Sequence, residues 1–254
     1  MIEAYTLFSG SSGNSLLVRS GSTAVLVDAG RSRRAVSLAL KEISLSAADI
    51  AAVFVTHEHT DHIAALAQIR LRDGLAIHAS AATAAYLDGS VFGEATVLAH
   101  PPVWTEEIGD LEITSFPLPH DSRCAVGYRF RDRDGDAFCT ATDAGTPTDE
   151  LFAALEGCRG ALLEANYDPL MLRCGPYPAS LKSRILSPIG HMSNEDCAAV
   201  ARFAADCGVK CIGLGHLSAE NNTPEKAYAA VRGALAGRDV ELVVCARSGV
   251  TRIM

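Results

Sequence analysis

Thr56-His57-Glu58-His59-Thr60-Asp61-His62 closes the apolar run Ala51-Ala-Val-Phe-Val55 and sets three histidines and an aspartate within six residues. With eight His and sixteen Asp among 254 residues, a His-x-His-x-Asp-His word arises by chance in about one such chain in two thousand. Residues two apart at a strand end share a side, so His57 and His59 can turn their rings to one cation. Asp61 and His62, in the following turn, can face a second. Four donors leave two divalent ions short of partners, and three other strand ends can supply them: Leu118-Pro-His120-Asp121, Thr140-Ala-Thr-Asp143-Ala-Gly145 and Leu214-Gly-His216-Leu-Ser218. Each follows an apolar strand and precedes a loop, which brings them to one rim of a sheet, where α/β proteins place chemistry.

Working outward, Ile2 to Phe8, Ser15 to Arg19 and Ala24 to Asp28 read as strands around the polar loop Ser9-Gly-Ser-Ser-Gly-Asn14. Arg33 to Ile43 is helical, with Val36, Leu40 and Ile43 on one face. Further strands are expected over Leu75 to Ala79, Leu111 to Phe116, Ala125 to Arg131 and Ala137 to Thr140, with a turn at Asp134-Gly135. Helices over Asp149 to Glu156, Ala179 to Leu186, Ser193 to Ala205 and Pro224 to Leu235 alternate with strands at Gly160 to Leu163, Val209 to Leu214 and Val240 to Val244. No linker, low-complexity stretch or repeat interrupts this rhythm, so residues 1–254 are expected to form one α/β domain.

Lys+Arg 22 against Asp+Glu 30 gives a net charge of −8, which argues against a broad grip on nucleic acid without excluding a local positive site. Composition and a mean hydropathy of +0.16 exclude disorder, collagen and coiled coil. The N-terminal residues lack a basic, then long apolar, signal, and no apolar run reaches the roughly 18 residues of a membrane span. A cytoplasmic protein without membrane contact is expected. The eight cysteines form no CxxC pair and are expected to be reduced and mostly buried, not zinc ligands.

His-x-His-x-Asp-His followed by isolated His, Asp and His at strand ends resembles the metallo-β-lactamase superfamily. The resemblance implies a four-layer αββα sandwich and two divalent metal ions, which ligand type leaves open as Zn, Mn or Fe. It implies His57, His59 and His120 on the first metal, Asp61, His62 and His216 on the second, and Asp143 between them. Ser9-Gly-Ser-Ser-Gly-Asn-Ser15, Glu164-Ala-Asn-Tyr-Asp168, Gly175-Pro-Tyr-Pro178, Gly190-His-Met-Ser-Asn194 and His216-Leu-Ser-Ala-Glu-Asn-Asn-Thr-Pro224 resemble the YycJ/WalJ group. That group is regarded as DNA exonucleases related to ribonucleases J and Z. Tyr167 departs from its pattern, which usually has His there, so a metal or substrate role for that position is in doubt.

The expected function is therefore a dinuclear metal-dependent phosphodiesterase, a 5′-to-3′ exonuclease on DNA or RNA ends, in which a hydroxide shared by the metals attacks phosphorus. Asp61 would orient or deprotonate that water, and His191, just before a helix that Ser193 or Asn194 would cap, could protonate the leaving group. Ser12 and Asn14, with Ser193 and Asn194, are candidate substrate contacts, although the Ser9 to Ser15 loop reads equally as a phosphate cradle or a plain hairpin turn. Lys182 and Arg184 read as a solvated basic face, and His78 and His100 as ordinary surface or half-buried residues. Hydrolysis of a small carbonyl compound, such as a β-lactam, lactone or thioester, is the alternative. A non-catalytic binding module is disfavoured by the full set of seven donors.

Overall fold

Short Val-, Leu- and Thr-rich runs broken by glycine turns build the strands of the computed structural model, which describes residues 1–254. In chain order, β1 Glu3–Phe8, β2 Ser15–Ser20 and β3 Thr23–Val27 are followed by α1 Arg33–Glu42, which Ser32 caps through its hydroxyl. Then come β4 Ile50–Phe54, the one-turn helix α2 Thr60–Ile63, α3 Leu66–Asp73, β5 Ala76–Ser80, α4 Ala81–Leu87 and β6 Leu98–His100. The second half runs β7 Thr105–Ile108, β8 Leu111–Pro117, β9 Val126–Asp132, β10 Ala137–Ala141, α5 Asp149–Leu155, β11 Gly160–Glu164, α6 Pro169–Cys174 and α7 Ala179–Ile185. It closes with α8 Asn194–Asp206, β12 Cys211–Gly215, α9 Pro224–Ala234, β13 Glu241–Val244 and β14 Thr251–Arg252.

Two seven-stranded sheets result, ordered β14-β1-β2-β3-β4-β5-β6 and β13-β12-β11-β10-β9-β8-β7. β3 pairs antiparallel with β2 and parallel with β4, and β10 does the same between β9 and β11. Each sheet therefore switches from hairpins to parallel crossovers at one strand, and such switch points are where open α/β sheets bind ligands. Between the sheets lies a core of Leu16, Val18, Val25, Phe54, Tyr128, Phe130, Phe138 and their neighbours. One outer face is covered by the apolar sides of α1, α3 and α4, the other by α5, α8 and α9. Helix, sheet, sheet and helix thus form the expected four layers.

The sequence reading lacked α2, read there as a turn, along with α3, α4, α6 and the edge strands β6, β7 and β14. These are short and partly exposed, so their apolar periodicity is weak; α4 is Ala81-Ala-Thr-Ala-Ala-Tyr-Leu87, and β14 is two residues long and pairs with Tyr5 and Thr6. All eight cysteines are free and four are buried, but Cys174 is exposed against expectation. His78 is not a surface residue: it stacks on Phe54 in the inter-sheet core at 4.7 Å. Its Nδ1 lies 3.1 Å from His100 Nε2, and His100 stacks on Trp104 at 3.7 Å. Burial lowers the pKa of both rings. No helix is long and apolar enough to cross a membrane.

Candidate metal centre

The carboxyl ends of the parallel strands converge on one rim. Asp28 follows β3, Thr56 and His57 follow β4, Asp143 follows β10, Glu164 ends β11 and His216 follows β12, while His120 enters from the loop after β8. Asp28, Asp143 and His216 take left-handed backbone angles, with φ of 60°, 60° and 56°. Each such residue costs of order 1–3 kcal/mol and persists only where its surroundings hold it. Here they do: the Asp28 amide donates to Phe54 O (2.8 Å) and the His216 amide to Ser9 Oγ (2.9 Å). Beside Asp143, the Ala144 amide donates to Glu164 Oε2 (2.8 Å).

The seven donors meet. His57, His59 and His120 bring ring nitrogens within 4.8 Å of one another, with His59 Nδ1 and His120 Nε2 separated by 3.4 Å. Asp61, His62 and His216 form a second group, with Asp61 Oδ2 at 3.5 Å from both Nε2 atoms. Asp143 lies between the groups, its Oδ2 3.1 Å from His62 Nε2 and its Oδ1 3.7 Å from His120 Nε2 and 3.5 Å from His216 Nε2. Donors sharing one tetrahedral ion at 2.0–2.1 Å stand about 3.3 Å apart, so these separations suit shared cations.

The chemistry of the set fits divalent metal ions on a further observation. His57 Nε2, His216 Nε2 and Asp143 Oδ2 are buried without any hydrogen-bond partner, which is costly unless a ligand satisfies them. The Nδ1 atoms of His57, His62, His120 and His216 are engaged. His62 Nδ1 donates to Asp28 Oδ2 (2.7 Å), His120 Nδ1 to Gly190 O (2.9 Å) and His216 Nδ1 to Glu164 Oε1 (3.1 Å). His57 Nδ1 donates to Thr56 Oγ1 (3.0 Å), whose own proton goes to Asp28 Oδ2 (2.8 Å). A proton fixed on Nδ1 leaves Nε2 with its lone pair toward the cluster, the form in which imidazole binds metal.

Asp28, Thr56, Glu164 and the Gly190 carbonyl are the residues that sequence reasoning did not single out. Asp28 and Glu164 each end an otherwise apolar strand, and that lone acid on an apolar run was the available signal.

The charges are strongly coupled. Burial pushes Asp143 toward neutrality, but the His216 and His62 charges override it and hold its pKa well below the carboxylate range. Glu164 is lowered to about 2 against the same burial, by the charge and hydrogen bond of His191. Burial lowers His216, yet Asp143, Asp61 and Glu164 raise it to about 10. His57, by contrast, is pulled well below its ordinary value by burial and the His62 charge. Such a cluster holds protons where cations would sit, so metal uptake releases them.

The remaining candidates fall in different places. His191 Nδ1 donates to Glu164 Oε1 (2.8 Å), and the ring is 18% exposed at the mouth; burial depresses its pKa, but the Glu164 charge raises it overall. Ser12 is exposed and its hydroxyl accepts from Arg31 (2.7 Å). Asn14 is buried and braces the cluster, its Nδ2 donating to Asp61 Oδ2 (3.1 Å), its Oδ1 accepting from Gly10 N (2.8 Å) and its amide donating to Asp61 O (2.7 Å). With the Gly13 amide bonded to Gly10 O, the Gly10, Gly13 and Asn14 amides are all spent within the protein, two on the loop itself and one on Asp61.

The polar groups of Ser193 and Asn194 are engaged within the protein. Ser193 Oγ caps α8 by accepting from the Asp196 amide (3.0 Å) and donates to Asp196 Oδ2 (2.7 Å). Asn194 is 2% exposed and forms a reciprocal amide pair with Asn222 at 2.8 and 2.9 Å. Tyr167 is buried against Leu172 and Ile185, with burial pushing its pKa to about 12. Arg184 pairs with Asp121, and Lys182 donates to Arg173 O (2.8 Å).

Comparison with known proteins agrees with this geometry. Residues 23–216 match the family model of the beta-lactamase superfamily domain. The chain is 36% identical over 238 residues to the exodeoxyribonuclease WalJ of Streptococcus pneumoniae serotype 2 (strain D39 / NCTC 7466), covering 92% of this chain and 88% of that one. It is 35% identical over 229 residues to the exodeoxyribonuclease YycJ of Bacillus anthracis, covering 89% and 86%. Among solved structures, the metallo-β-lactamase fold protein YhfI from Bacillus subtilis superposes with a TM-score of 0.75 at 18% identity over 99% of each chain.

Proposed function

The chain belongs to the metallo-β-lactamase superfamily, and on that footing we propose that it is a metal-dependent phosphodiesterase, an exonuclease that trims DNA ends. The observation that carries this reading is the convergence of seven His and Asp donors whose buried Nε2 and Oδ2 atoms lack protein partners. Two relatives similar over most of the chain are exodeoxyribonucleases, which favours DNA as the substrate.

Two divalent ions, Zn, Mn or Fe, would supply Lewis acidity and make a water acidic enough to ionise near neutral pH. His57, His59 and His120 would hold one, Asp61, His62 and His216 the other, with Asp143 shared. Asp28, Glu164 and the Gly190 carbonyl keep the protons of His62, His216 and His120 on Nδ1. Asp61 is the partly exposed carboxylate of the set and orients or deprotonates the attacking water. His191, anchored through Nδ1 by Glu164, offers Nε2 as the proton donor to the departing oxygen. Its raised pKa favours the protonated form that role requires.

End-labelled DNA and RNA, with 5′-phosphate or 5′-hydroxyl ends, are incubated with the Mn- or Zn-loaded protein alongside a chromogenic β-lactam. Stepwise loss of DNA nucleotides is expected, with His191→Ala lowering kcat by about 100-fold or more, the contribution of one positioned acid. Hydrolysis of the lactam with both nucleic acids intact would overturn the proposal.

A further inference from the structure

Two divalent ions would bring four positive charges to a site holding four carboxylates, the buried Asp28, Asp143 and Glu164 and the partly exposed Asp61. Their four negative charges offset those of the ions, which leaves little surplus to attract a polyanion. In a chain of net charge −8, that attraction must come from side chains at the rim.

Arg31 is placed to provide it. It lines a recess of about 690 Å³ with Ser11, Ser12, Ser32 and Thr60, and Asp61 of the metal cluster forms part of the same wall. Such a volume accepts a nucleotide-sized group. Its guanidinium is fixed from three sides: Nη2 donates to Ser12 Oγ (2.7 Å) and to Arg247 O (3.1 Å), and the cation lies 4.9 Å from the Phe8 ring centre. These partners are a hydroxyl, a carbonyl and an aromatic face, so no carboxylate offsets its charge. Nε is buried without a partner, and Nη1 has none among the hydrogen bonds.

Of the other arginines at the mouth, Arg184 is paired with Asp121, and Arg123 lies over Tyr86 in a separate recess with Glu58 and His59. Arg31 is also tied rigidly to the cluster. Neighbouring Gly30 is pressed against the Asp61 carbonyl, and its amide donates to Asn14 O (2.8 Å), while the Asn14 amide donates to Asp61 O (2.7 Å).

We propose that Arg31, with the Ser12 hydroxyl, forms a phosphate subsite beside Asp61 that holds the nucleic-acid strand next to the phosphodiester being cut. The inference rests on the phosphodiesterase reading. A preorganised, uncompensated guanidinium beside hydroxyls recognises phosphate oxygens through charge-assisted hydrogen bonds. The phosphate is either the 5′-terminal group or an internal backbone group.

Binding of a 3′-fluorescein single-stranded octadeoxynucleotide, 5′-phosphorylated or 5′-hydroxyl, is read by anisotropy in Ca²⁺ across a salt series. The wild type, Arg31→Ala and Arg31→Lys are compared. Arg31→Ala should weaken binding about tenfold and make the slope of log K against log[salt] shallower by about 0.7, one phosphate contact on a single strand. Arg31→Lys should retain the slope. A loss confined to the 5′-phosphorylated strand assigns the terminal phosphate, and an equal loss on both strands assigns a backbone one. An unaltered slope in Arg31→Ala overturns the subsite even if binding weakens, because a packing defect does not change the number of phosphates neutralised. Cleavage of the same strand by the wild type in Mn²⁺ is scored separately. Arg31-dependent binding without cleavage removes the nuclease reading alone, and cleavage with Arg31-independent binding removes the subsite alone.

Discussion

Asp143 lies among three histidines from three different segments of the chain. It is 2% exposed, one oxygen lacks a hydrogen-bond partner, and His62, His120 and His216 surround it at 3.1 to 3.7 Å. Asp143→Asn keeps the shape but replaces a charged oxygen with an amide that cannot serve both groups. Metal content after desalting is expected to fall from about two equivalents to one or fewer, and affinity for the remaining ion to weaken by more than about 100-fold, beyond the usual loss of an outer partner. Elemental analysis reads the first and a competition titration the second; two retained equivalents would remove Asp143 from its shared position. At this scale the donors were readable because three histidines and an aspartate in six residues demand an explanation. Their supports were not. Asp28 and Glu164 are single acids at the ends of apolar strands, and only the fold shows that they face His62 and His216.

At the scale of elements, the close approach of the β3–α1 turn to α2 sets the geometry of the mouth. A Cβ on Gly30 would stand 1.5 Å from the Asp61 carbonyl oxygen and 2.6 Å from the Asn14 amide, both backbone atoms that cannot swing aside. Gly30→Ala should therefore cost about 3 kcal/mol or more, at or above the upper range of overpacking, and displace Asp61. Urea unfolding reads the loss of stability, and a midpoint within error of wild type would show that this contact is not held in solution. The strands and longer helices were readable from periodicity, whereas α3, α4 and the edge strands depend on what they pack against. Ser193 and Asn194 show a related limit: both stand at the start of a helix near the site, where one caps α8 and the other, its first residue, is locked to Asn222. Sequence proximity to a catalytic word does not distinguish a contact from a brace.

For the molecule as a whole, two sheets of mirrored design each change from hairpins to parallel strands, and the strand ends past that change bring donors distant in sequence, from His57 to His216, to one rim. The strand ends placed the donors at one rim and the family resemblance supplied the two-sheet sandwich, but neither pointed to Asp28 and Glu164, whose carboxylates join Asp61 and Asp143 at the centre. A second trio, His78, His100 and Glu106, also brings its donor atoms within 4.8 Å at the edge formed by β6 and β7. Anomalous diffraction from crystals of the metal-loaded protein, recorded at the absorption edge of the bound ion, tests the central claim directly. Two peaks are expected, one among His57, His59 and His120 and one among Asp61, His62 and His216, with Asp143 in contact with both. No peak at these residues, or a peak confined to His78, His100 and Glu106, would contradict it.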